Sequence, residues 1–195
     1  MSKGEATRQR IIEKAAPLFN QRGFEGCSMQ DILEATGLQK GGLYRHFSNK
    51  EDLAAEAFRY ALAQVAKVRM PAPDNSASAV ENLRRMVAQF VEAPSPILGG
   101  CPILNTAIDA DDGNPILRGL AREGLAAWRS KIVAVVRSGR SRGEIRNDVE
   151  PRALANMMIA TLEGALMISR LEASRAALQD AKVSLQAIID GAAAR

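Results

Sequence analysis

The sequence predicts an all-α fold of about nine helices, on three observations. Apolar residues recur at spacings of three and four, in the stripe Ile11, Ala15, Leu18 and Phe19 and again in Leu83, Val87, Phe90 and Val91. That spacing lines one side of a helix. Convincing alternation of apolar and polar residues, the mark of a strand, is absent. Three breaks separate the helical runs: Met70-Pro-Ala-Pro-Asp-Asn-Ser-Ala-Ser78, Ala93-Pro-Ser-Pro-Ile-Leu-Gly-Gly100 and the shorter Gly139-Arg-Ser-Arg-Gly143. Each is rich in residues that make turns and end helices.

Several helix starts are written in the side chains. Ser28 stands three residues before Asp31 and Asn49 three before Asp52, so each short polar side chain can accept from a first-turn amide. Pro115 after Asn114, and Pro151 in Asp-Val-Glu-Pro, suit first-turn positions where a missing N–H costs nothing. Pro17 does not fit: inside the first helix it removes a donor and crowds the Glu13 carbonyl, at about 3 kcal/mol in a regular helix. Either the helix kinks there or packing of Leu18 and Phe19 compensates.

Composition narrows the function classes. The chain has 195 residues, 47% hydrophobic and 25% charged, which is ordinary globular composition. Its first residues, Met-Ser-Lys-Gly-Glu-Ala-Thr-Arg, lack the apolar core of a signal peptide. The most apolar stretch, Ala153 to Leu171, is interrupted by Glu163 and Arg170 and reads as a buried helix rather than a membrane span. Cys27 and Cys101, two cysteines in a leaderless chain, suit a reducing compartment, so the expected location is the cytoplasm. The one histidine is His46, and no metal-ligand cluster, phosphate-binding glycine loop or nucleophile–base pair appears. These absences speak against an enzyme and imply no cofactor. The net charge of +4 is mild, so its distribution has to decide.

That distribution singles out Ser28 to Lys50, SMQDILEATGLQKGGLYRHFSNK. A helix of about eight residues ends at Thr36, Gly37 supplies a turn, and a second short helix begins near Gln39. This is helix-turn-helix spacing, in which the second helix enters the major groove of double-stranded DNA. Ile32, Ala35, Leu38, Leu43 and Phe47 are expected to pack a small core with Phe19 and Phe24, leaving Gln39, Lys40, Tyr44, Arg45 and His46 outward. From Gln39 to Lys50 there are three certain cations, Lys40, Arg45 and Lys50, and no carboxylate, whereas Glu25, Asp31, Glu34, Glu51 and Asp52 crowd the flanks. Cations that displace counterions from phosphate supply most non-specific affinity. Gln39 and Lys40, at the helix start, are placed to reach base edges, glutamine towards adenine and lysine towards guanine. Gly41 and Gly42 should each cost about 1 kcal/mol relative to alanine in a helix. Either they form an extended turn, or their missing side chains let the backbone approach DNA closely.

The run from Asp31 to Leu53, with its lead-in Ile11 to Phe24, resembles the DNA-binding signature of the TetR family over residues 7–58. Helix-turn-helix spacing, the Gly-Leu-Tyr-Arg-His-Phe run and the following Lys-Glu agree together. The resemblance implies a three-helix reading domain at residues 1–49 and a helical ligand-binding and dimerisation domain at residues 50–195. It implies phosphate contacts from Tyr44 and Lys50, helped by Ser28, with Gln39, Lys40 and Gly42 facing bases. The departures are Gly42, where the family often has Thr or Ala, and Pro17. The implied function is a repressor that binds a palindromic operator as a homodimer and is released by a small molecule or an electrophile.

The remainder agrees independently. From Ala153 to Ser169 the only charge is Glu163, so that helix needs covering on more than one side, and Leu178, Ala181, Leu185, Ile188 and Ile189 stripe the next. Two such helices against their copies make a four-helix bundle, although both could instead bury inside a monomer. Met86, Phe90, Asn105, Trp128, Met157, Met158 and Glu163 are candidates for lining an effector pocket, each with an alternative as ordinary core. Cys101, before Pro102, is expected to cap a helix, where a thiolate would be reactive, unless it is a buried apolar residue. Cys27 is expected to be structural. Two other readings stand beside the repressor: a helical interaction module with a vestigial helix-turn-helix, and the same fold acting as an activator, which the sequence does not separate from a repressor.

Overall fold

The structure is a computed structural model that describes residues 2–110 and 113–194. Its described residues form nine helices: α1 (Lys3–Gly26), α2 (Met29–Thr36), α3 (Lys40–Tyr44), α4 (Lys50–Arg69), α5 (Ala79–Glu92), α6 (Pro102–Asp109), α7 (Pro115–Ser141), α8 (Pro151–Leu171) and α9 (Ala176–Ala192). No strand occurs among them; Ile145 and Ala193 make one isolated antiparallel bridge. The expected caps are in place. Ser28 Oγ accepts from Asp31 N at 3.1 Å, Asn49 Oδ1 from Asp52 N at 2.8 Å, and Asn114 Oδ1 from Leu117 N at 2.9 Å.

Pro17 lies inside α1, yet the residue with non-helical angles is Gly23, at φ 76° and ψ 174°. The helix therefore passes through the proline, carried by neighbours Ala15 and Ala16 that are buried to 0% and 1% exposure. It breaks six residues later, where only glycine tolerates the backbone.

The chain forms two compact units that interleave along the sequence: residues 1–65 with 95–124, and residues 66–94 with 125–195. The expected division at residue 49/50 follows chain order, whereas the first unit also takes in most of α4, all of α6 and the start of α7. Its core joins Ile11, Ile12 and Ala15 of α1 to Ile32, Leu43, Phe47 and Leu53. Phe24 belongs to a second, smaller cluster with Ala54, Ala110 and Leu117. Ala35, expected in the core, is exposed: the eight-residue α2 buries one stripe, centred on Ile32, and Ala35 falls beside it.

In the second unit α5, α8 and α9 pack on one another. Asn82, 4% exposed, pins the preceding loop by donating to Asp74 O at 2.9 Å and accepting from Asp74 N at 2.7 Å. By length and composition α8 is the one described helix able to cross a membrane, although Glu163 and Arg170 interrupt it. Half of its apolar window is buried against protein, however, which accounts for that apolarity. Leu166 and Leu185 are inside the unit, at 7% and 0% exposure. The large apolar side chains that these two helices expose are Met157, Met167, Ile168 and Leu171 on α8 and Val183 and Ile188 on α9.

Candidate nucleic-acid interface

Helices α2 and α3 and the turn between them carry the predicted reading surface. Gly37 closes α2 in the left-handed region, at φ 68°, and its N–H returns to Leu33 O at 2.9 Å. Gln39 is the N-cap of α3, exposed and without a side-chain cap bond, so its amide is not committed to its own helix. Leu43 and Phe47, at 0% and 1% exposure, anchor the opposite side. Lys40, Gly41, Tyr44 and Arg45 point away from that anchor and are exposed, whereas Gly42 and His46 are half-buried.

Gly41 and Gly42 are helical, so the extended-turn alternative is not realised. Nothing among the described residues requires them to be glycine. A Cβ at Gly41 would meet nothing within 4 Å, and one at Gly42 would touch Leu38 Cδ2 at an ordinary 3.8 Å.

The electrostatics of this surface come from which charges are already paired. Asp31 is held by Arg22 at 2.5 Å, and Glu56 by Arg8 and Arg59 at 3.3 and 2.9 Å. Hydrogen bonds from Ser28, then the Arg22 guanidinium, hold the Asp31 carboxyl down to about 2. Lys40, Arg45 and Lys50 have no carboxylate partner among the described residues. Lys40 Nζ lies 5.9 Å from the Tyr44 ring centroid and Lys50 Nζ 4.3 Å from that of Phe24. Three cations without a carboxylate partner, on a segment from Gln39 to Lys50 that itself carries no acid, give a local positive potential that the modest net charge hides. Ser28 differs from the others in one respect: its hydroxyl already donates to Asp31 Oδ2 at 2.5 Å, so its donor is committed inside the capping box.

The seven candidates for an effector pocket do not fall in one unit. Met86 and Trp128 line a crevice of about 10 Å³ with Arg69, Met70, Pro71 and Lys131. Phe90 stacks on Trp128 at 5.5 Å and 12°, under the Arg69 guanidinium at 5.3 Å. Met158 is fully buried and Glu163 half-buried on α8, neither among the crevice walls. Asn105 and Cys101 belong to the other unit. Cys101 stands at the N-cap of α6 but makes no side-chain cap bond, and at 2% exposure it is buried, so the exposed capping thiolate is not realised. Cys27, also buried, has its thiol pushed up by burial and then by Asp31. The residues that sequence reasoning missed are Asn20 and Asp109, whose partners lie about 80 positions away and leave no local signal.

Residues 11–57 match the family model for bacterial regulatory proteins of the tetR family, and residues 79–185 that for the tetracyclin repressor-like C-terminal domain. The chain is 27% identical over 169 residues to the HTH-type transcriptional repressor DhaR of Mycobacterium sp. (strain GP1), covering 86% of this chain and 84% of that one. Its fold is shared with a TetR transcriptional regulator from Chloroflexus aurantiacus, at TM-score 0.92 and 42% identity over 99% of this chain and 98% of that one. A TetR-family regulator from Cytophaga hutchinsonii superposes with TM-score 0.91 and 36% identity, covering 100% and 98%. With the helix-turn-helix in place and both halves matched, the chain belongs to the TetR family of DNA-binding, non-enzymatic transcriptional regulators.

Proposed function

We propose that this regulator is a cytoplasmic repressor that binds a palindromic operator as a homodimer and leaves it when a small molecule binds. The observation that carries the reading is the outward surface of α3, where Lys40, Tyr44 and Arg45 are exposed and Lys40, Arg45 and Lys50 face no carboxylate among the described residues. Such a surface attracts phosphate, while Gln39 and Lys40 at the helix start reach base edges. Tyr44 and Lys50 act on the backbone; Arg45 and His46 flank the same groove; Gly41 and Gly42 let α3 approach closely. Ser28 contributes by fixing the start of α2. Residues 1–49 then form the reading part and residues 50–195 the regulatory part, joined by α4, which begins at Lys50 and runs unbroken to Arg69.

The exposed apolar side chains of α8 and α9 support pairing with a second copy, since large aliphatic groups left in water on two adjacent helices favour association. A two-fold dimer reads two half-sites about one helical turn apart. For the effector, the region around Met86, Phe90 and Trp128 combines apolar lining with polar groups, with Met158 and Glu163 on α8 as further candidates. Cys101 is too buried to favour release by an electrophile.

The test is selection of bound fragments from random DNA. An inverted repeat should be enriched, Tyr44→Ala and Lys50→Ala should weaken all sequences alike, and Gln39→Ala and Lys40→Ala should change which sequence is preferred. Recovery of no sequence, or of an asymmetric single site, contradicts the reading.

A further inference from the structure

A cleft in the first unit lies beside a set of hydrogen bonds that the proposed function leaves unused. Asn105 Nδ2 donates to Asn20 O at 2.8 Å, to Asn20 Oδ1 at 3.1 Å and to Gly99 O at 2.8 Å. Asn20 Nδ2 donates in turn to Leu98 O at 2.8 Å and Gly100 O at 3.3 Å. One turn on, the break at Gly23 frees the Phe24 N–H from the helix, and Asp109 Oδ2, at the end of α6, accepts it at 2.6 Å. The segment around α6 is thus latched to α1 immediately before the reading helices.

The cleft runs between α1, α4 and α6, encloses about 30 Å³ and opens into a wider mouth. Inside it is narrow, with room for a head group the size of about one or two waters. Phe19, Phe24 and Phe58 line it, together with Asn105, Thr106 and Asp109. Among the described residues that line it, Asp109 alone carries charge. The Asn105 amide donor is spent on the latch, whereas the Asn105 carbonyl, the Thr106 hydroxyl and Asp109 Oδ1 have no partner among the described residues. The site therefore offers acceptors and, from the exposed Asp109, a negative charge at the edge of a cleft lined in part by phenyl side chains. The Phe24 ring already has a cation beside it, Lys50 Nζ at 4.3 Å, which is not among the cleft walls. A carboxylate in a cleft that aromatic side chains also line favours an ammonium over a neutral group of the same shape.

We propose that this cleft binds a small primary ammonium ion whose apolar body lies in the open mouth, its head group spanning both oxygens of Asp109 and so competing with the Phe24 N–H for Oδ2. Release of that N–H loosens the end of α1 just before Ser28. The resulting loss of operator affinity, unlike the binding itself, rests on the proposed function.

The experiment is calorimetry on the full-length protein with 2-phenylethylammonium and its neutral counterpart, 2-phenylethanol. The wild type should bind the ammonium at least about tenfold more tightly than the alcohol. Asp109→Asn keeps an acceptor for the Phe24 N–H and should abolish that preference. In the wild type, where no substitution can disturb folding, the Phe24 amide should exchange with solvent faster once the ammonium is bound. Equal affinity for the two probes, an unchanged preference in Asp109→Asn, or unchanged Phe24 exchange would overturn the proposal. On a selected operator, saturating ammonium should lower the affinity of the wild type and not of Asp109→Asn. A ligand-free protein that binds no DNA would refute the repressor reading and leave the calorimetric result standing.

Discussion

Gly41→Ala separates what the fold needs from what the DNA interface needs, because its two expected effects have opposite signs. Gly41 is helical, and an added Cβ would meet nothing within 4 Å. Alanine therefore brings only its propensity advantage, about 0.5–1 kcal/mol for a site in so short a helix. At about 2–4 °C per kcal/mol for a chain of this size, the unfolding midpoint should rise by about 1–4 °C. On DNA the same methyl group stands on the approach face beside Lys40 and Tyr44, where crowding a packed contact costs about 1–3 kcal/mol. Operator affinity should then fall by about 5- to 150-fold. Calorimetric unfolding and fluorescence anisotropy with a selected operator read the two effects on one sample. A lowered midpoint would show that the fold itself requires glycine. Unchanged operator affinity would show that α3 does not approach DNA at Gly41. Either result refutes the reasoning.

Three further outcomes follow from the same geometry. Gly99 has φ 105°, and a Cβ there would lie 2.6 Å from Asn20 O, so Gly99→Ala should cost about 2–5 kcal/mol and lower the unfolding midpoint by roughly 5–20 °C; a change under about 2 °C would contradict the latch at Asn20. Val183 is 67% exposed on α9, so Val183→Asp should leave a single subunit's fold intact yet yield monomers in sedimentation at micromolar concentration, and a variant as dimeric as the wild type would remove α9 from the seam. The Asp31 carboxyl is held at about 2 by Ser28 and then Arg22. A depressed carboxyl stabilises above its unfolded value of about 3.9, and that contribution is lost as pH falls from about 4 towards 2. Circular dichroism of acid unfolding should show a shallower loss over that range in Asp31→Asn; identical acid curves would contradict the capping role.

How much was legible in the sequence depends on the range of the interaction. The helix-turn-helix was readable because its parts are local: Ser28 and Asp31 cap α2, Gly37 turns the chain, and Gln39 opens α3, all within one short run. Ala35 was misplaced because eight residues are too few for periodicity to fix the edge of a buried stripe. Pro17 looked like the break in α1, but the break required a backbone angle that only Gly23 adopts. The pairing of Asp31 by Arg22 and of Glu56 by Arg8 was hidden as well, whereas the lack of acids from Gln39 to Lys50 was legible. Leu166 and Leu185 appeared equivalent to their exposed neighbours, since a helix that is apolar all round does not announce which side meets its own chain. Asn20 and Asp109 could not be read at all, and Asn105 was read only as a pocket candidate, because the bonds that join them cross some 80 residues.

The most direct test of α3 as the DNA-reading surface is the salt dependence of operator binding, measured by anisotropy between about 50 and 300 mM KCl. Lys40, Arg45 and Lys50 supply three unpaired cations per chain. Two chains on one operator should therefore give a slope of log affinity against log salt of about −5. Replacing all three by glutamine should bring the slope near zero. A wild-type slope already near zero, or a steep slope that survives the triple replacement, would place the DNA contact elsewhere on the molecule.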